Sequence, residues 1–370
     1  MKNKSKLLTT LVAGVMMAAS AHATDAKPVT YDITDLYKNN QQLVLLSGNK
    51  IQLKSVLSSN MKVLFKDLKP NANWSHPAEI QVVNSKTNQP FEKIPVRFPP
   101  KSLSDAKVVS GTPLRGEVFT GFNLNDFNGK YRVSDPSKYY AVLINGAGSE
   151  RHYNDNAFLY RTLTKVYGYN PENIFMADSN FITSAADIDG VTAIKYQTTK
   201  DSIKGIFATL KGKLTAEDHL LIATNDHGDR QGGNSTIVLA DGEMNDTDFQ
   251  AMITAIPAKE VLQIHEPCYS GGMVRPGAAP NRVVMAAATD VELSWGSDDG
   301  LWDTFIYNVV VAFAMQTPDG TLVGSDLDRD GRVSAQEAFA YAVAHDKSLE
   351  SPVMESAPDT GDQQKIGLNF

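Results

Sequence analysis

The chain has 370 residues, a single cysteine and a formal net charge of −7. An acidic balance without any basic block argues against a nucleic-acid partner and against binding to anionic membrane surfaces. Its length suggests two domains, and beyond the first residues no apolar run approaches membrane-spanning length.

Residues 1–6 are basic, residues 7–19 are apolar but too short to span a bilayer, and Ser20-Ala21-His22-Ala23 has the small-residue pattern of a signal-peptidase site. Residues 1–23 therefore read as a cleaved signal peptide. The mature protein is expected to be periplasmic or secreted, with no integral membrane segment. Residues 24–135 read as a small β-rich domain. Short alternating runs at 43–46, 61–65, 79–83 and 94–98 are bounded by turn formers, most densely at 84–90. A polar stretch rich in Asn and Asp, residues 123–137, reads as a linker.

Residues 138–370 have a different grammar. The apolar run 139–144 suits a parallel strand covered on both faces. It leads through Asn145-Gly146-Ala147-Gly148 into a helix with Phe158, Leu159, Leu163, Val166 and Tyr167 at helical spacing. Further strands are expected at 173–177, 219–224, 261–264 and 282–288, with a hairpin around 235–240. Helices are expected at 202–210, at 246–256 with Asp246 as its cap, and at 301–315. This order predicts an α/β fold, a mostly parallel sheet with helices on both faces. In such sheets reactive groups lie beyond the carboxyl ends of the strands.

Two strand ends carry chemistry. One apolar run ends in Asn225-Asp226-His227-Gly228; another leads through Glu266-Pro267 to Cys268 and then two glycines. A lone cysteine in an exported protein cannot be half of an internal disulfide. The competing readings are a small buried hydrophobe and an ordinary turn histidine. The pairing of thiol and imidazole on two strand-end turns favours nucleophilic catalysis instead. His227 would take the thiol proton and Cys268 would attack as the thiolate.

Residues 326–337 fit the calcium loop of an EF-hand. Asp326, Asp328 and Asp330 alternate, Gly331 allows the sharp turn, Arg332 would offer its carbonyl and Glu337 would clamp the ion while opening a helix. The competing reading is an acidic surface turn before a capped helix. No second loop is present, so a single structural Ca2+ site is expected, and no organic cofactor.

The order of Tyr140 to Ile144, Arg151-His152, Asp226-His227-Gly228 and Glu266-x-Cys268-x-Ser270-Gly271 resembles the legumain family of cysteine peptidases over roughly residues 138–297. That resemblance implies a caspase-type fold for residues 138–370. It also implies an acyl-thioester intermediate, with the backbone N–H groups of Gly228 and Cys268 stabilising the oxyanion. Arg151, His152 and Glu266 match positions that line the pocket for the residue before the scissile bond, and Ser294 joins them. An Arg beside a Glu offers donors and an acceptor, which suits an asparagine amide; aspartate would fit when protonated. Three positions depart from the family pattern. Ser149 replaces an asparagine, Leu293 replaces a serine, and Leu301 stands where a pocket aspartate is expected just before Trp302. The expected function is an exported cysteine endopeptidase acting on a protein or peptide substrate, cleaving after Asn or Asp. Three alternatives stay open: a transpeptidase or transamidase using the same acyl-enzyme, a Lys/Arg-specific peptidase drawing on Asp298 and Asp299, and an inactive caspase-fold binding module.

Overall fold

The computed structural model of the chain describes residues 27–73, 76–103, 106–113, 117–146, 148–180 and 187–369. The expected signal peptide lies outside them. Strand Tyr139–Asn145 is buried at all positions, as is strand His219–Asn225 beside it. Continuous apolar runs of this kind cannot face water on either side, so they become the middle of a covered sheet. The sheet has seven strands in the order Ile194–Gln197, Ile174–Asp178, Tyr139–Asn145, His219–Asn225, Glu260–His265, Arg282–Ala286 and Val353–Ser356. The first six are parallel and the last is antiparallel.

Helices cover both faces. Glu150–Arg161, Thr304–Ala314 and Ala335–His345 bury Phe158, Phe305, Phe313 and Ala338 against one face. Lys200–Lys213 and Asp246–Thr254 bury Phe207, Leu210, Phe249 and Ile253 against the other. Among the described residues no helix is long and apolar enough to cross a membrane.

The expected β-rich unit is a five-stranded antiparallel sheet in the order Pro90–Val96, Ala78–Asn84, Met61–Asp67, Val29–Asp32 and Lys107–Ser110. Alternation along Met61–Asp67 and Ala78–Asn84 puts Val63, Phe65, Ile80 and Val82 into one core. That core also takes in Val238 of strand Asn234–Leu239, so the smaller unit packs against the larger one there.

Several expectations are corrected. The cap of helix Asp246–Thr254 is Asn245, whose side chain accepts from Asp248 N, while Asp246 accepts from Ser235 N at 2.9 Å. The hairpin is a three-stranded antiparallel sheet of Gly228–Gln231, Asn234–Leu239 and Gly242–Asn245. The stretch read as a linker is fastened down: Asn123 N donates to Pro318 O at 2.8 Å and Asn125 N to Gln316 Oε1 at 2.9 Å.

Candidate active site

Adjacent parallel strands deliver the two reactive groups. In the register of His219–Asn225 against Glu260–His265, Thr224 lies opposite His265. Both strands therefore end together, and His227 and Cys268 follow at the same edge. Gly228 lets the two turns close: a Cβ there would stand 2.3 Å from Cys268 O and 3.0 Å from Cys268 N. Directly after the cysteine, Tyr269 holds φ at 63°, a conformation that bulky residues seldom adopt and that turns the chain sharply away. Tyr269 N donates to Glu292 O at 2.8 Å, which fixes that turn.

Helix Glu150–Arg161, which follows the strand on the other side of the histidine strand, brings Arg151 and His152 to the same edge. The rings of His152 and His227 lie 4.8 Å apart, edge to face. Asp303, at the start of helix Thr304–Ala314, completes the cluster. Its Oδ1 accepts from Arg151 Nε at 2.8 Å, and its Oδ2 lies 3.2 Å from His152 Nε2. Asp155 Oδ2 accepts from Asp303 N at 2.9 Å, which orients the carboxylate.

The cleft between these groups is filled by the chain itself. Residues 68–73, which follow strand Met61–Asp67, enter it from the smaller sheet. Asn73 N donates to Ser294 O at 3.0 Å, Gly296 N donates to Asn71 O at 3.0 Å, and Ala72 forms an antiparallel bridge with Trp295. The Asn73 amide is read at both ends. Its Nδ2 donates to Ser294 Oγ at 3.0 Å and to Asp303 Oδ1 at 3.2 Å. Its Oδ1 accepts from Arg151 Nη2 and lies 3.4 Å from His152 Nε2. Its main-chain oxygen is 2.7 Å from Cys268 Sγ. Buried Glu350 supports the receiving segment, accepting from Trp295 N at 2.7 Å and Thr304 Oγ1 at 2.9 Å.

Burial sets the protonation of the pair. It pushes the Cys268 thiol up to about 12, against the opposing hydrogen bonds from Ser294. Burial, then the charge of Arg151 and of His76, holds His227 well below the usual imidazole range. Under the loop the two groups are thus a neutral thiol and a neutral imidazole.

Of the residues expected around the substrate, Arg151, His152 and Ser294 gather at Asn73. Glu266 lies beside this cluster, and its Oε2 accepts from Ile306 N at 2.8 Å, satisfying an orphan N–H in the first turn of helix Thr304–Ala314. Burial, with Glu350 and Asp303 close by, pushes its carboxyl well above the ordinary carboxylate range. The carboxylate facing Arg151 is Asp303, which sequence reasoning missed by looking before Trp302 instead of after it. Asn73 was missed entirely; nothing local marks it.

The residues expected to hold calcium come between helices Thr304–Ala314 and Ala335–His345. Carboxylate oxygens of Asp326, Asp328 and Asp330 lie within 4.8 Å of one another. Asp326 Oδ1 is buried with no hydrogen-bond partner, and Gly331, at φ 89°, donates to Asp326 Oδ2 at 3.0 Å. Glu337 turns its oxygens onto its own loop, accepting from Leu327 N at 2.8 Å and from Ser334 N at 2.9 Å.

Comparison with known proteins agrees with this geometry. No functionally curated protein matches the chain at a significant level. Among solved structures, a protein of Geobacter sulfurreducens, GSU0716, is similar at 14% identity with a TM-score of 0.40, over 61% of this chain and 96% of that one. The model of the Peptidase C13 family matches residues 139–325, from the start of strand Tyr139–Asn145 to the residue before Asp326. That span is half of the chain and holds His227 and Cys268, and the chain belongs to the Peptidase C13 family of cysteine peptidases.

Proposed function

We propose that the protein is an exported cysteine endopeptidase that cleaves peptide bonds after asparagine. The observation that carries this reading is Asn73, whose backbone lies along Ser294–Gly296 as a substrate strand would and whose amide is bonded at both ends. The amide nitrogen meets a hydroxyl and a carboxylate; the amide oxygen meets a guanidinium. Arg151 and Asp303 neutralise each other, so a neutral side chain that both donates and accepts fits without leaving a charge unpaired. A lysine or arginine would meet Arg151, and a large apolar side chain would strand both polar groups.

In the proposed reaction Cys268 Sγ attacks the carbonyl carbon while His227 takes the thiol proton and passes it to the leaving amine. The N–H groups of Gly228 and Cys268 receive the oxyanion, and water releases the acyl group. Matched peptides differing only before the scissile bond test the preference: Asn should exceed Gln, Leu, Lys and Arg. Cys268→Ala and His227→Ala should each lower turnover by orders of magnitude while circular dichroism stays unchanged. Equal rates for Lys and Asn peptides would sink the assignment.

A structural Ca2+ is also proposed. Asp326, Asp328, Asp330 and the Arg332 carbonyl would hold it, and it would supply charge neutralisation to a loop of three carboxylates. Glu337 would join only by trading its present hydrogen bonds for the ion.

A further inference from the structure

We propose that Glu350 is a positioning residue for substrate binding, which holds Ser294–Gly296 with two of its main-chain groups turned toward the cleft. This rests on the peptidase reading above and adds a residue to that site. Glu350 lies beyond residues 139–325, so the family match does not foresee it.

Extended backbone turns the polar groups of successive residues to opposite sides. Ser294 O and Gly296 N face the cleft, where they meet Asn73 N at 3.0 Å and Asn71 O at 3.0 Å. The main-chain groups of Trp295, between them, face the other way. Trp295 O accepts from Thr304 N at 3.0 Å and from Thr304 Oγ1 at 3.0 Å. Trp295 N donates to Glu350 Oε2 at 2.7 Å, and Glu350 Oε1 accepts from Thr304 Oγ1 at 2.9 Å. One carboxyl thus ties the receiving segment to the first residue of helix Thr304–Ala314, next to Asp303. Without it Trp295 N would be a donor turned into the protein with no acceptor. The segment would then rotate to find one, taking Ser294 O and Gly296 N out of line.

Glu350 stands on a stretch fixed at both ends. Residues 346–352 run from the end of helix Ala335–His345 to strand Val353–Ser356, which pairs with Arg282–Ala286. Ser351 Oγ donates to Glu292 Oε1 at 3.2 Å, and Glu292 O is the acceptor for Tyr269 N, so the same stretch braces the turn after Cys268. The carboxyl is also built in as an acid. Burial, then the charge of Asp346, pushes it well above the ordinary carboxylate range. Asp346 Oδ2 is buried with no hydrogen-bond partner, and a proton on Glu350 supplies one. A neutral Glu350 moreover sets no negative charge near the Cys268 thiol, which a charged one would push up.

The test compares two substrates with one fluorogenic amine: acetyl-Asn, and acetyl-Pro-Asn-Ala-Asn, which alone offers a carbonyl to Gly296 N. Residues 68–73 compete equally with both, so the ratio of their KM values reads the segment itself. The full chain is measured as wild type, Glu350→Ala, Glu350→Asp and Glu350→Gln, with circular dichroism on each. Aspartate falls one methylene short of Trp295 N. Glutamine keeps an oxygen for Trp295 N and sets an NH2 where the acid proton stands, while Thr304 Oγ1 still donates to Trp295 O. Lengthening the substrate should lower KM by about tenfold or more in wild type and in Glu350→Gln. In the Ala and Asp variants the gain should shrink to less than about threefold. If Glu350→Ala does not fold, the Asp and Gln variants carry the same contrast. An equal gain in wild type and Glu350→Asp, or a gain lost in Glu350→Gln too, overturns the role of Glu350 and leaves the peptidase reading standing. If the wild type hydrolyses neither substrate, the peptidase reading itself has failed and the proposal falls with it.

Discussion

On the proposed reading, Asp303 sets specificity without touching the reacting bond. It sits at the head of a helix, where acidic side chains ordinarily cap, yet makes no cap bond and turns instead to Arg151 and Asn73. An aspartate in the place of Asn73 would set an oxygen, not an N–H, against Asp303 Oδ1. Like charges at that spacing oppose binding unless one carboxyl is protonated, so cleavage after Asp should rise as pH falls. Burial, opposed by Arg151, already holds the Asp303 carboxyl above its ordinary range. Asp303→Asn removes that discrimination. The ratio of kcat/KM for Asn over Asp peptides at neutral pH should fall by about tenfold or more. An unchanged ratio, measured on paired peptides, would take Asp303 out of the recognition.

At the scale of the element, strand Glu260–His265 both delivers the nucleophile and carries a pH liability. His265 is fully buried, with Nδ1 2.8 Å from Thr224 Oγ1 and Nε2 3.1 Å from Gln263 Oε1. Burial lowers its pKa from 6.5 to about 3. Because the folded value is depressed, its stabilising neutral form is favoured above pH 6.5, and stability falls as pH drops from 6.5 toward 3. The loss is on the order of 5 kcal/mol at most, from the shift between 6.5 and about 3. His265→Asn, which cannot charge, should flatten the dependence of urea-unfolding free energy on pH across that window; an equal slope would refute the assignment. The same strand explains what could be read in advance. The apolar runs within it and within His219–Asn225 state their burial, so both strands and the placing of His227 and Cys268 after their ends were legible. Strand Val353–Ser356 was not: it is short and only half-buried, with no periodicity to betray it. The helix N–H that Glu266 satisfies is 40 residues away, a partner the sequence does not show. Asn73 bonds a partner 221 residues distant, and no local pattern encodes such a meeting.

The whole molecule joins two sheets at one cleft, and the carboxyl-terminal part reaches that cleft through helices. Helix Ala335–His345 packs on Thr304–Ala314, setting Phe339 edge-on to Phe305, and Asp303 stands at the head of the latter. Calcium in the loop before Ala335–His345 should therefore stabilise the fold first and affect catalysis only through this stack. Binding to the native state alone contributes about 2.7 kcal/mol at a hundredfold excess over Kd. Millimolar Ca2+ should raise Tm, chelation should reverse it, and Asp328→Ala should abolish the response. A Tm indifferent to both would dismiss the site. The loop that crosses from the smaller sheet also has a practical meaning. It spells Pro70-Asn71-Ala72-Asn73, with Asn73 N on Ser294 O and Asn71 O on Gly296 N. The protein thus carries the template for an affinity label: that tetrapeptide, blocked at its amino end and closed by an electrophilic ketone, should alkylate the enzyme at Cys268. Replacing its last residue by leucine should slow inactivation by about a hundredfold or more, since both ends of the amide go unread. Equal inactivation by the two reagents would mean that the register seen in the cleft is not the one used for recognition.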